Sequence, residues 1–381
     1  MAGMTSRPAT TLTPLPISGI LPCQAIAAMV ARGDISTTRP LDDDQIQPAS
    51  LDLRLGARAY RVRASFLPGR RLAVSQRLEE VVLHAFDISE GAVLETGCVY
   101  IVPLMESLAL PSAIAASTNP KSSTGRLDIF TRVISDHAVL FDKIAAGYHG
   151  PLYAEISPST FPILVRAGSR LSQIRFRIGD PRVRDGDLAA LHQAERLVDS
   201  EEALLASSVA VSIDLSGRGK ERLIGYRAKK HAGLVDVDRR AALDIDDFWE
   251  PLYARGSGSL VLDPSEFYIL ASKEAVHVPP DHAAEMVAFD PLVGEFRVHY
   301  AGFFDPGFGH AAAGGAGARA VLEVRSHEIP FIVEDGQIVG RLVYERMSER
   351  PARLYGEGEG SNYQGQGLKL SKHFRQPPDH T

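Results

Sequence analysis

This chain carries one stretch of sequence twice, and the spacing of the copies limits what it can fold into. Leu94 to Pro111 reads LETGCVYIVPLMESLALP, and Leu262 to Pro279 reads LDPSEFYILASKEAVHVP, 168 residues further on. The same spacing pairs Tyr100 with Tyr268, Ile101 with Ile269, Glu155 with Glu323 and Gly168 with Gly336. Upstream, SLDLRLG at Ser50 resembles SIDLSG at Ser212, at a spacing of 162. A period this long means two fused domains and not a solenoid of short repeats. A chain of 381 residues is long enough for two cores. We therefore expect one domain over 1–200 and a second over 201–381.

The apolar runs are short and bounded by Gly, Pro, Ser or Asp. Val99–Leu104, Phe161–Val165, Leu171–Phe176, Phe267–Leu270 and Ile338–Tyr344 are strand-length and rich in β-branched and aromatic residues, so the fold class is mainly β. Two segments read as helices. Pro22 to Arg32 has apolar residues at helical spacing and stops at Gly33. Asp187 to Leu205 is rich in helix formers and reads as a connector or as the start of the second half.

Charge and cysteine content exclude several classes of function. Lys and Arg number 41 against 47 Asp and Glu, a net charge of −6, so a surface built to coat a nucleic acid polymer is not expected. Apolar runs long enough for a membrane span are missing, and the Thr- and Pro-rich start does not read as a signal peptide. Cys23 and Cys98 cannot build a disulfide framework or a cysteine-rich zinc site, and a reducing cytoplasm is the simplest setting.

Four motifs carry chemistry, each with a plainer alternative. Lys121-Ser122-Ser123-Thr124-Gly125-Arg126 gathers hydroxyls and cations that suit phosphate oxygens, but also suits an ordinary turn. His299 to Gly309 reads as strand, Asp-Pro-Gly turn, strand, with Asp305 either facing a ligand or closing the turn. Val321-Leu322-Glu323-Val324, matched by Tyr153-Ala154-Glu155-Ile156, sets a carboxylate inside an apolar strand. Buried, it would have a raised pKa and could shuttle protons; facing outward, it would do nothing special. The glycine-dense tail from Tyr355 to Gln366 predicts a mobile segment that folds over a ligand or simply frays. Trp249 reads as a core anchor and the second-half histidines as surface or packing residues.

Together these motifs resemble the dCTP deaminase branch of the dUTPase-like superfamily, in a tandem, double-length form. The likeness runs from Gln47-Pro48-Ala49-Ser50-Leu51-Asp52-Leu53 through the Ser-Ser-x-x-Arg loop, the Ala-Gly-x-x-Asp-Pro-Gly-Phe segment and the Leu-Glu strand to Tyr363-Gln364-Gly365-Gln366. The resemblance implies two fused dUTPase-like distorted β-barrels, jelly-roll-like, with a few short helices. It also implies assembly as a homo-oligomer with sites between domains, and zinc-free deamination of dCTP to dUTP. Mg²⁺ would arrive bound to the triphosphate, and dTTP is a candidate inhibitor. A dUMP-forming bifunctional enzyme, a dUTPase and a non-catalytic nucleotide-binding regulator are the alternatives.

The resemblance also assigns residues. Glu323 matches the general base, with Glu155 as its alternative. Ser122, Ser123 and Arg126 match the loop that orients water and glutamate and reaches phosphate, and Lys121 stands where an arginine is usual. Ala301 matches a residue that helps place the water. Asp305 matches a residue near the deoxyribose, and Val321 and Leu322 match substrate-binding residues. Tyr355 and Gln366 match tail residues over base and phosphates, while Asn362 falls where a lysine is often found. The second half has Asp290-Pro291-Leu292-Val293-Gly294 at its loop position, without the serine pair or arginine. The expected site is therefore composite: loop from the first half, glutamate and tail from the second.

Overall fold

The computed structural model describes residues 18–201, 203–217, 219–288, 296–298, 302–326, 328–357 and 363–375. It is mainly β, and the duplication is visible strand by strand. In the first half, strand Val99–Ala109 pairs antiparallel with His149–Pro158, which sets Glu155 opposite Ile101. In the second, Phe267–Val276 pairs with Ala318–Ser326, which sets Glu323 opposite Ile269. The strands Ile114–Pro120 and His282–Ala288 start and stop at the same 168-residue spacing. Even a side-chain detail repeats: the hydroxyl of Tyr100 accepts from the Glu95 N–H at 3.1 Å, and that of Tyr268 from the Asp263 N–H at 3.0 Å.

Each half has two main sheets and a small antiparallel pair, in matching strand order. In the upstream motif the spacing differs from the sequence expectation. Leu55 bridges Leu104 and exchanges backbone bonds with Gly168 and Ser169; Ile213 bridges Ser272 and does the same with Gly336 and Gln337. The equivalent residues are thus Leu55 and Ile213, 158 apart, and the likeness at a spacing of 162 is slipped by four residues. Most of the difference is made up between Ile213 and the strand Leu223–Ala228, since Tyr60 faces Ile101 and Tyr226, 166 further on, faces Ile269. A connection of unchanged length then leads from that strand to Trp249–Tyr253. That connection crosses to the first half, where Val235–Asp236 adds a parallel strand to Ile163–Val165.

The expected helices are present with altered bounds. Cys23–Arg32 ends at Gly33, whose φ of 86° is the left-handed cap glycine allows. Asp185–Glu195 is shorter than expected and ends at Arg196. Its Leu188, with Val183, Leu197 and Val198, packs into the second core, so the second half is entered near residue 183 and not at 201. No described helix is long and apolar enough to cross a membrane.

The larger core runs without a break from one half into the other. Tyr226, Phe248, Trp249, Phe267, Ile269, Val321 and Phe374 share it with Leu127, Phe161 and Ile163. Trp249 is fully buried, with ring centroids 5.6 Å from Phe161 and 5.9 Å from Phe374. In the first half the face equivalent to Ile269 and Val321 is treated differently. There Ile101 and Tyr153 are covered by Phe66 and by a helix of the same half, Val74–Val81, through Val74, Leu78 and Val81. One face is used twice, once to join the halves and once sealed from within.

Because Trp249 sits where three aromatic rings from both halves meet, Trp249→Ala should cost about 3–5 kcal/mol of stability, the range for large-to-small changes in a packed core. Guanidinium unfolding followed by circular dichroism measures this; a loss below about 1 kcal/mol would show that the junction is not a packed core.

Candidate active site

A cavity of about 380 Å³ lies where the halves meet. Its floor comes from the first half. Ser122–Gly125 forms one helical turn, not an open loop, closed by Thr124 Oγ1 donating to the Leu171 carbonyl at 2.9 Å. Arg126 follows and is buried, its guanidinium stacked 3.9 Å from the centre of the Tyr363 ring. One terminal nitrogen donates to the Lys369 carbonyl at 2.8 Å and the other to Gln366 Oε1 at 3.1 Å. That leaves Nε with no hydrogen-bond partner among the described residues, 3.9 Å from Glu323 Oε1.

Glu323 projects into the cavity from Ala318–Ser326, and strand alternation explains its neighbours. Val321 lines the cavity with it, whereas the side chain of the intervening Leu322, expected among the substrate-binding residues, packs into the second core and is not part of the lining. Burial of Glu323 disfavours its anion and pushes its pKa up to about 7; the Arg126 charge opposes the shift without cancelling it. A carboxyl poised there can both take and give a proton at neutral pH.

Asp305 lies at the cavity wall in a turn in which the Phe308 N–H donates to its carbonyl. The expected hairpin is not formed: after Phe303–Phe304 the chain turns through Gly307 and a short 3-10 segment, Ala311–Ala313, before the next strand. Asp305 is held by Arg175, which reaches across from the first half. Arg175 bonds Asp305 Oδ1 at 3.1 Å, the Ala284 carbonyl at 3.1 Å and the Phe304 carbonyl at 3.3 Å, and its guanidinium lies 4.1 Å from the Phe303 ring centre. Burial raises the Asp305 pKa, with Arg175 pulling it down.

The tail is seated, not frayed. Tyr355 and Gln366 line the cavity, and Tyr363 is buried beside them. Gln364 accepts from the Gly309 N–H at 3.0 Å, Ser371 Oγ donates to the Ser123 carbonyl at 2.8 Å, and Phe374 enters the core. Ala301 and Asn362 lie outside the described residues.

The other expected residues fall as follows. Lys121 lines the cavity and pairs with Asp52, itself 3.6 Å from Arg170. Ser122 and Ser123 line it too. Glu155 is not among the lining residues: it is buried under Arg132, which donates to its Oε1 at 2.5 and 3.1 Å while stacking on Phe141. Sequence reasoning missed Tyr363, Arg170, Arg175 and Lys372. Arg175, a charge inside an apolar strand, gave the same kind of signal as Glu323. Among the described residues no group of three His, Cys, Asp or Glu side chains is arranged to hold a metal ion.

A family described as 2'-deoxycytidine 5'-triphosphate deaminase matches its N-terminal domain over residues 17–180 and its C-terminal domain over 184–374. The chain belongs to the dCTP deaminase family. The crystal structure of 2'-deoxycytidine 5'-triphosphate deaminase from Agrobacterium tumefaciens is 66% identical, with a TM-score of 0.84 over 87% of this chain and 99% of that one. The dCTP deaminase of Haloarcula marismortui is 34% identical over 160 residues, 40% of this chain and 76% of its own length. A dCTP deaminase named as dUMP-forming, from Halobacterium salinarum, is 27% identical over 189 residues, 49% of this chain and 86% of its own. The chain is accordingly an enzyme of the dCTP deaminase class, and these two relatives match two fifths to one half of it.

The raised pKa of Glu323 has a consequence for stability. The folded carboxyl keeps its proton up to about pH 7, while the unfolded one releases it near 4.5. Between those values the native state binds more protons, so this group's contribution makes stability fall as pH rises. Glu323→Gln removes that dependence. The variant should gain melting temperature over the parent at pH 8, by a free energy of up to about 3 kcal/mol, and the gain should vanish near pH 4.5. Equal melting temperatures at both pH values would show that the carboxyl titrates normally.

Proposed function

We propose that this chain converts dCTP and water to dUTP and ammonia in the cavity between its halves, with Glu323 moving the protons. The observation that supports this most directly is the buried Glu323 carboxyl facing Arg126 across the junction, 3.9 Å apart. In this reading Glu323 takes a proton from the water that attacks C4 of cytosine. It passes that proton to the ring nitrogen beside C4, takes the remaining hydroxyl proton, and delivers it to the amino group, which leaves as ammonia. A carboxyl with a pKa of about 7 suits a group that must act as base and then as acid in one turnover. Arg126 stabilises the ionised form as the proton is taken, and its own place is fixed by Tyr363, Gln366 and Lys369. Ser122 and Ser123 offer hydroxyls to water and phosphate, Asp305 faces the sugar, and Tyr355 and Gln366 lie over base and phosphates.

Each half is then a distorted barrel of the dUTPase-like type, and the reaction belongs to the cytoplasm. Magnesium would accompany the triphosphate. The rim carboxylates offer it little: Asp42, Asp44 and Asp52 are within 4 Å of Arg170, and Asp238 accepts from Ser169 Oγ at 2.7 Å. The ion would therefore be held by substrate oxygens. A dUMP-forming reaction is the second reading, favoured only by relatives that carry that name.

The test is steady-state ammonia release from dCTP with magnesium, with nucleotide products separated. We expect dUTP and ammonia in equal amounts. Glu323→Gln should lose at least about a thousandfold in kcat, within the range for general acid–base catalysis. Glu155→Gln, outside the cavity, should stay within about threefold of the parent in kcat. Loss of turnover in Glu155→Gln with retention in Glu323→Gln would overturn the composite site, and dUMP with pyrophosphate would establish the second reading.

A further inference from the structure

The charged groups that line the cavity form two sets. Arg126 is the charged group that shifts Glu323. Four further cations, Lys121, Arg170, Arg240 and Lys372, line the wall. Three are accounted for by their surroundings. Lys121 is paired with Asp52, Arg170 with Asp42 and Asp44, and Arg240 is exposed to water.

Lys372 is different. It is half-buried, and among the described residues its ammonium has neither an ion pair nor a hydrogen bond. Its strongest charged neighbours are cations, Lys121 and Arg240, with Arg170 further down the order. Together with burial they push its pKa down to about 8, against an opposing pull from Asp52 that outweighs the Arg170 contribution. A chain end that placed a lysine here for stability alone would be paying for it.

The backbone holds this unfavourable position firmly. The Lys372 N–H donates to the Tyr363 hydroxyl at 3.3 Å, and its carbonyl accepts from the Ala241 N–H at 3.0 Å. On one side Ser371 is tied to the Ser123 carbonyl. On the other His373 bridges Ser371 at 2.9 Å and the Val237 carbonyl at 2.9 Å. The lysine is thus anchored against the Ser122–Gly125 turn by residues on both sides of it. A fixed, partly desolvated cation among other cations is a place where a polyanion binds strongly.

We propose that Lys372 is a substrate-binding residue that grips the triphosphate, the tail's cationic contribution to the wall it shares with Lys121 and Arg170. This rests on the deaminase reading for the identity of the substrate, but not for the presence of an anion site. Asn362, the position at which the family resemblance leads one to expect a lysine, leaves that role open. Lys372 follows ten residues later on the same tail.

The experiment pairs two probes. Inorganic tripolyphosphate binding is measured by calorimetry on the full chain, and dCTP turnover by ammonia release, for the parent, Lys372→Met and Lys372→Arg. We expect Lys372→Met to weaken tripolyphosphate binding by about tenfold or more, the usual weight of a lost charged contact. The same variant should raise KM for dCTP by a similar factor, with kcat within about threefold of the parent. Lys372→Arg should recover most of both losses. Parent-like tripolyphosphate affinity and KM in Lys372→Met would overturn the proposal, as would an equal loss in Lys372→Arg, which would mark a merely structural seat. If the parent binds tripolyphosphate but does not turn over dCTP, the deaminase reading fails while the lysine's role is still measured by the binding arm.

Discussion

Arg126 is planted in the first half, yet every group that holds its guanidinium belongs to the second: the Lys369 carbonyl, the Gln366 side chain, the Tyr363 ring and, at 3.9 Å, Glu323. A buried guanidinium is tolerable only when its donors and its charge are answered. Answering them here requires the tail to be seated and the strand Ala318–Ser326 to face the Ser122–Gly125 turn. Arg175 imposes the same condition from a second point, through Asp305 and the backbone of Ala284 and Phe304. Two arginines of one half thus fix the functional surface of the other, while the apolar ring cluster about Trp249 supplies the adhesion.

Much of the fold was legible because duplication is a statement about spacing, and spacing survives where residue identity does not. The pairing of Glu155 with Glu323 held at the level of strand register. The upstream motif misled because SLDL and SIDL look alike while their strands are offset by four residues, the extra length having gone mostly into the segment between Ile213 and Leu223. Glu323 was readable as a charge inside an apolar strand, and Ser122 and Arg126 as a polar loop. The seat of the tail was not legible, because glycine density reports freedom in the unfolded chain and says nothing about the hydrogen bonds that Gln364, Ser371 and His373 make once folded. Lys372 had no local pattern to betray it, and Arg175, though a charge inside an apolar strand, matters through partners in the other half.

The two copies have diverged along physical lines. Both glutamates occupy equivalent strand positions and both are buried. Glu323 faces a guanidinium that is spent on other partners and approaches it only to 3.9 Å, which leaves its proton affinity high. Glu155 is clasped directly by Arg132 across the neighbouring strand, with Ser65 bonded to the same guanidinium. The two carboxyls differ in how closely an arginine approaches them, 3.9 Å at Glu323 and 2.5 Å at Glu155.

The helix Val74–Val81 bears on a larger hazard. When a patch on one module binds a different patch on the next, the contact is head-to-tail, and unless the rotation closes into a ring it extends without limit into a fibre. A gene duplication that joins two such modules does not remove that danger, because the first module still offers an acceptor. By laying Leu78 and its neighbours over Ile101 and Tyr153, the chain occupies that acceptor with its own residues, so propagation through this face ends after a single joint.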